Sequence, residues 1–338
     1  MFTEISTIET HKKCVVISDF LTCEGHLLED ITIAYHCWGR LNQRGSNGIL
    51  IVHGLTADSN AAKWWPGIIG KGCAFDPEKY FIICPNIPGS CYGSTSAENI
   101  RTKNPQASKR VQLSPQDIAM LFSKLLTSIN IKNLHALAGA SIGGFIALEY
   151  AIRHKHKVRN LLLIATSYYA SPWNIAINEA QLMATECSNQ VQALATARAI
   201  AMLSYRTPEI FNKSQADTNT GRKHKAQSYQ RYQGEKLAQR FTLDAYRFMI
   251  GVFNRHNVAN GRSSLENALL QIEAQTLIIS ISSDILFPAK EQKTMRAMID
   301  NATLETIPSD YGHDGFLVEN RRIGNIITSF LKGKNKTS

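Results

Sequence analysis

Three residues, a serine, an aspartate and a histidine in that order along the chain, have the types and settings to do chemistry together. Ser141 stands in Gly139-Ala140-Ser141-Ile142-Gly143, a Gly-x-Ser-x-Gly pattern. An apolar, strand-like run (Leu134 to Ala138) precedes it, and a helical pattern (Phe145, Ala147, Leu148, Tyr150, Ala151, Ile152) follows. Strand, sharp turn, helix is the setting that exposes a nucleophilic serine. A serine hydroxyl needs a neighbouring base to take its proton. That base needs a third group to fix its tautomer and stabilise its cation. Asp284, at the end of an apolar run, and His313, in a late loop between Gly312 and Asp314, are of the right types for those two roles.

The chain has 10 histidines, and most have simpler readings than catalysis. His154, His156 and His224 sit in basic polar runs, and His11 and His26 lie in the lead-in. His53 ends a strand in a loop suited to backbone contacts. Asp310 and Asp314 rival Asp284 as the third group, but each is so near His313 that the loop would have to fold back on itself. An oxyanion site needs two donors aimed at the developing charge. The backbone N–H of Ile142, just after the nucleophile, and that of Leu55, in the loop after the first buried strand, are the candidates.

Alternating strands and helices must carry these groups. Thr32 to Trp38 alternate in a strand-like lead-in that stops at Gly39, and Gly48 to Val52 form a continuous apolar run of the kind covered on both faces. Tyr80 to Cys84, Val158 to Thr166, Thr276 to Ser282 and Thr303 to Ile307 read as further strands. Ser114-Pro115-Gln116-Asp117 is a helix start, with a capping hydroxyl, a first-turn proline and an early acid. Helices are also expected over Ala289 to Met298 and from about Asn320 to Leu331, and a polar surface loop over Arg101 to Arg110. The strand–helix alternation predicts a mostly parallel sheet with helices on both faces. From about Ala170 to Gln271 helical stretches take over (Val191–Tyr205, Ser228–Arg240, Thr242–His256), broken by a polar, basic loop over Asn212–Gln227. The expected organisation is a core of residues 1–169 and 272–338 with a helical lid inserted at 170–271.

Composition narrows the class. The 338 residues are 44% hydrophobic and 19% charged, ordinary for a soluble globular enzyme. The N-terminus lacks the progression of a signal peptide, and no apolar run approaches the ~18 residues of a membrane span, so a cytoplasmic protein with no membrane partner is expected. The 7 cysteines are odd in number with no C-x-x-C, against both a disulfide framework and a metal site. A net charge of +10 raises nucleic-acid binding. The basic residues are scattered and not interleaved with aromatics, so a solvated surface that draws in anionic substrates is preferred to a nucleic-acid site.

With these pieces placed, the sequence resembles the homoserine O-acyltransferase branch of the α/β-hydrolase superfamily, from about Ile31 to Glu319. The resemblance rests on His53-Gly-Leu-Thr-Ala-Asp58, Trp64-Trp65 before Gly67, Gly89-Ser-Cys91-Tyr-Gly-Ser-Thr95, the serine turn, Asn174-Ile-Ala-Ile-Asn178-Glu179, Tyr232-Gln-Gly-Glu-Lys236, Ser283-Asp284-Ile-Leu-Phe-Pro288 and Asp310-Tyr-Gly-His313-Asp314-Gly-Phe316. It implies the α/β-hydrolase fold, with the order Ser141, Asp284, His313 matching that fold's triad. It further implies acyl transfer from an acyl-CoA to the hydroxyl of an amino acid, usually homoserine, in methionine synthesis, by double displacement through acyl-Ser141; the preferred reading is acetyl-CoA as donor and L-homoserine as acceptor. No cofactor is permanently bound; acyl-CoA is a co-substrate. Arg198, in Ala195-Thr-Ala-Arg198, matches the family's arginine for the acceptor carboxylate, and Asp314 its acid for the ammonium group. A homodimer is also implied. The elbow's Ala-Ser-Ile, where the family often has Gly-Ser-Met, and Ser-Ala-Glu after Thr95, bear on substrate identity more than on reaction type. Succinyl-CoA as donor, L-serine as acceptor, an esterase with the same triad, and a non-catalytic binding protein remain the alternatives.

Overall fold

The computed structural model describes residues 11–104, 111–217 and 224–333. Parts of two expected features fall outside the described residues: the polar loop to Arg110 and the loop over Asn212–Gln227.

Eight strands form one sheet: β1 (His11–Ile17), β2 (Ile31–Trp38), β3 (Gly48–Val52), β4 (Phe81–Pro85), β5 (Leu134–Ala140), β6 (Val158–Ile164), β7 (Gln275–Ile281) and β8 (Ala302–Ile307). Their order across the sheet is β1-β2-β4-β3-β5-β6-β7-β8. β2 runs antiparallel to both β1 and β4, and the pairs from β4 to β8 are parallel. This is an α/β-hydrolase architecture, and the parallel strands all end at one edge, where their loops converge.

The unbroken apolar runs are explained by cover on both faces. In β3, Leu50 and Val52 join one core cluster while Ile49 and Ile51 join another across the sheet. The first cluster takes in helix α1 (Pro115–Ser128), through Ile118, Leu121, Phe122 and Leu125, and helix α2 (Ile142–Arg153), through Phe145, Ile146 and Leu148. The expected cap of α1 is present. Ser114 Oγ accepts the Asp117 N–H (3.2 Å), while the Asp117 carboxylate accepts the Ser114 N–H (2.8 Å).

Among the described residues between β6 and β7 lie five helices of seven residues or more, α3 (Pro172–Ala184), α4 (Gln190–Tyr205), α5 (Pro208–Ser214), α6 (Lys225–Ala238) and α7 (Leu243–Asn254), and a short helical turn at Leu265–Leu269. The expected loop over Asn212–Gln227 is therefore shorter than its polarity suggested. Thr207 caps α5, its hydroxyl accepting the Ile210 N–H at 3.3 Å, and Pro208 fits the first turn. Helices α8 (Ala289–Met298) and α9 (Asn320–Leu331) close the fold at their expected bounds. No helix among the described residues is long and apolar enough to cross a membrane.

Candidate active site

Ser141 occupies the turn between β5 and α2 with φ 56° and ψ −129°. A residue bearing a Cβ adopts this conformation at a cost of about 1–3 kcal/mol, so its surroundings must impose it. They do so through the backbone. The Ser141 N–H donates to the Ile164 carbonyl (3.0 Å), and its own carbonyl accepts from the Thr166 hydroxyl (2.7 Å) and the Gly144 N–H (2.9 Å). The flanking glycines are steric necessities. A Cβ on Gly143 would lie 2.2 Å from the Val52 carbonyl oxygen, and one on Gly139 would lie 2.3 Å from that of Gly143.

The loops after β7 and β8 bring Asp284 and His313 to the serine. His313 Nε2 lies 3.0 Å from Ser141 Oγ, and Nδ1 lies 2.8 Å from Asp284 Oδ2. The second carboxylate oxygen of Asp284 accepts the N–H groups of Leu286 (2.8 Å) and Phe287 (3.0 Å), which fixes the acid's rotamer. All three side chains are buried. With Nδ1–H directed at Asp284, Nε2 keeps its lone pair for the serine proton. Phe287, Phe316 and Tyr205 surround the imidazole at ring-centroid distances of 5.2, 5.1 and 5.8 Å. No hydrogen bond joins either Asp310 or Asp314 to that ring among the described residues.

Ile142 opens α2, where the first N–H groups have no partner within the helix. Leu55 lies in a tight turn closed by a bond from the Ala57 N–H to the Gly54 carbonyl at 3.2 Å. His53 sets that turn. It is fully buried, and its Nε2 accepts the Ile87 N–H at 3.1 Å. Nδ1 therefore carries the proton and donates it to the Gly54 carbonyl at 2.8 Å. Burial holds the His53 pKa below the ordinary histidine value, so the ring stays neutral. In a trans peptide the N–H points away from the carbonyl, so the Leu55 N–H is turned away from His53.

Ser141, Leu55 and His313 line a cavity of about 430 Å³ whose other walls include Arg198, Tyr205 and Asp314. Arg198, on α4, lies over the Tyr205 ring at 5.0 Å. Among the described residues it has no carboxylate within ion-pair distance, so a salt bridge inside the lid does not account for it. Asp314 is already engaged: Arg206 Nε donates to its Oδ2 at 2.8 Å. Burial opposes the charge on Arg206, but the Asp314 carboxylate outweighs it and raises the pKa above the ordinary value.

A family model described as alpha/beta hydrolase fold matches residues 47–320. The homoserine O-acetyltransferase of Cyclobacterium marinum is 36% identical over 342 residues, covering 97% of this chain and 97% of that protein. The enzyme of the same name from Chlorobium chlorochromatii is 34% identical, covering 92% of each chain. The chain belongs to the homoserine O-acetyltransferase family.

This family's fold is also found among solved structures. A homoserine O-acetyltransferase from Bacillus anthracis superimposes with a TM-score of 0.84 at 21% identity, over 95% of this chain and 97% of that one. An acetylester hydrolase from Corynebacterium glutamicum gives 0.82 at 21% identity, over 95% and 96%. The same scaffold thus carries proteins named for transfer and for hydrolysis, and the cavity must decide between them.

For a homoserine O-acetyltransferase family member, the polar ties between lid and core are the part that sequence reasoning missed. Arg206 and Thr207 follow directly on α4, and both reach the histidine loop, Arg206 at Asp314 and Thr207 Oγ1 at the Asp310 carbonyl (2.6 Å). Asn174 of α3 is fully buried and donates to the Leu286 carbonyl, in the aspartate loop, at 2.7 Å. A capped arginine-threonine pair at a helix junction was the available signal for the first tie. The resemblance motif Asn174-Ile-Ala-Ile-Asn178 was the signal for the second.

Proposed function

We propose that this protein transfers an acetyl group from acetyl-CoA to the hydroxyl of L-homoserine by double displacement through Ser141. His313 Nε2 takes the serine proton as Oγ attacks the thioester carbonyl carbon. The carbonyl electron pair moves to oxygen and is met by the backbone N–H groups of Leu55 and Ile142. Collapse breaks the carbon–sulfur bond, and the departing thiolate takes the proton from His313, leaving acetyl-Ser141. The acceptor hydroxyl then gives its proton to His313, attacks the acetyl carbon and expels Ser141 Oγ, which regains the proton. Asp284 holds the imidazole tautomer in both halves.

The observation that carries the reading is Arg198 facing the serine cavity with no carboxylate partner among the described residues, while Asp314 lies beside the base. The two charges complement the two ends of an amino acid. Bound amino acid would place an alcohol where water would otherwise intercept the acyl-serine. A second copy of the chain covering the lid, where Trp173, Met183, Val191 and Leu203 are exposed, and a cytoplasmic setting complete the proposal.

The test is coenzyme A release from acetyl-CoA with and without L-homoserine, with Ser141→Ala as control. Release that needs homoserine and is lost in the variant supports the transferase. Equal release without homoserine indicates a hydrolase. Release only from succinyl-CoA, or only with L-serine, would reassign donor or acceptor.

A further inference from the structure

The turn Gly54–Ala57 is held at two carbonyls, from opposite sides. His53, in the core, holds the Gly54 carbonyl. The Thr56 carbonyl is reached from the lid, by Arg240 Nη1 at 2.6 Å, and among the described residues it has no other partner. The same Nη1 donates to the Tyr92 hydroxyl at 2.6 Å. Arg240 lies in the short link between α6 and α7, and its backbone is fixed locally: its N–H donates to the Leu237 carbonyl at 2.9 Å. The next residue, Phe241, is buried edge-on against Tyr92 and Tyr246 at 6.1 and 6.4 Å.

An exposed arginine would ordinarily be left to water or a surface carboxylate. Here it is directed at a main-chain oxygen one residue past the candidate oxyanion donor. The Thr56 carbonyl shares its peptide plane with the Ala57 N–H, which donates to the Gly54 carbonyl at 3.2 Å, and the Gly54 carbonyl shares its plane with the Leu55 N–H, so holding the Thr56 carbonyl braces the turn that sets the direction of that N–H. A charge-assisted bond of this kind is stronger than a neutral one, so it suits a short turn that has no ladder to hold it.

We infer that Arg240 is a positioning residue of the reaction: the lid, through Arg240, holds the Leu55 N–H on the oxyanion. The inference rests on the proposed reading of Ser141 and Leu55, and it gives the lid a part in stabilising the tetrahedral intermediate as well as in covering the site. Arg240 also lines the cavity, as do Lys63 and Lys236. The competing role is therefore an anchor for the phosphates of the thiol donor, and the experiment must separate the two.

The probe is p-nitrophenyl acetate, an acetyl donor with no phosphate, compared with acetyl-CoA in the intact protein and its Arg240→Met and Arg240→Lys variants. Removing a direct oxyanion donor lowers kcat by about 10²–10³-fold, and loosening one is expected to lower it about tenfold or more. Arg240→Met should therefore lower kcat on both donors with the KM for the nitrophenyl ester unchanged. Arg240→Lys, which can still reach the Thr56 carbonyl, should restore most of it. Unchanged turnover of the nitrophenyl ester with a raised KM for acetyl-CoA would overturn the inference and make Arg240 a phosphate anchor. A fall in Tm that accounts for both losses and is not repaired by lysine would overturn it in favour of a structural role. If wild-type turnover of the ester survives Ser141→Ala, the reading of Ser141 fails and this inference falls with it.

Discussion

Replacing Asp284 by asparagine tests the base assignment most sharply, because the surroundings of the carboxylate dictate how the amide must sit. One oxygen of Asp284 accepts two backbone N–H groups, from Leu286 and Phe287, and the other faces His313 Nδ1. An asparagine must keep its oxygen on the two N–H groups, since the amide nitrogen there would face two donors. Its NH₂ then faces His313 Nδ1, which can accept that bond only by giving up its proton. The proton moves to Nε2, which now donates to Ser141 Oγ and can no longer accept from it. The cavity, the serine and the backbone donors are untouched, so binding should persist while proton transfer fails. The expected loss in kcat is about 10³–10⁴-fold, equivalent to roughly 4–5.5 kcal/mol of transition-state stabilisation, with KM changed little. Steady-state release of coenzyme A, referenced to Ser141→Ala, reads the effect, and thermal unfolding checks that the fold is kept. An Asp284→Asn variant retaining a tenth or more of wild-type kcat would refute the tautomer argument and return Asp310 to consideration.

Three further outcomes follow from the packing. Gly143→Ala would place its Cβ 2.2 Å from the Val52 carbonyl oxygen, so β3 and α2 must separate; a loss of at least about 1–3 kcal/mol in urea unfolding is expected, together with loss of activity. Arg262→Met strands Glu149, a carboxylate only 2% exposed and held by two bonds from the guanidinium at 2.6 and 3.2 Å, and should lower stability by about 3–5 kcal/mol. Adding Glu149→Gln should recover part of that loss, and an unchanged urea midpoint for the single variant would contradict the account. His256 is buried against Phe145, and burial pushes its pKa from 6.5 down to about 3. The unfolded chain therefore takes up a proton there that the folded one refuses. Stability present above pH 6.5 should fall by up to about 1.4 kcal/mol per pH unit as pH drops towards 3, and His256→Gln should flatten that slope in unfolding curves measured across the range.

The sheet was legible because its strands are buried on both faces and so read as unbroken apolar runs between turn residues. Gly48 to Val52 and Leu161 to Ile164 are the clearest. The triad was legible because each member ends or follows such a run, and the order of the three residues constrains how they can meet. Helix α3 escaped periodicity, although Ser171 and Asn174 cap it reciprocally, because few of its residues are buried and the third position is asparagine where glutamate or glutamine is the familiar signal. Polar pairs across long stretches of chain leave no periodic trace at all. Arg206 and Asp314 are 108 residues apart, and although each lies in a recognisable local setting, nothing in either setting names the other as its partner. The tautomer of His53 depends on the Ile87 N–H, a main-chain group whose position no side-chain pattern encodes.

The lid departs from the sheet after β6 and returns to it at β7, two strands that are adjacent and in register. Residues 165–274, about 110 of them, thus make the crossover from the end of β6 to the start of its parallel neighbour. Compared with a ten-residue connection, closing a flexible loop of that length costs only about 2 kcal/mol more in chain entropy. The core can therefore accept inserts of very different length and sequence at this junction with little thermodynamic resistance. An exchanged insert must still supply the apolar packing of α7, whose Phe248 and Phe253 belong to the first core cluster, and three polar contacts, those of Asn174, Arg206 and Arg240, each of which reaches a different loop of the site. A chimaera that kept the two strands and lost those three contacts would be expected to fold as a hydrolase-type core and to be slow at every step of the chemistry.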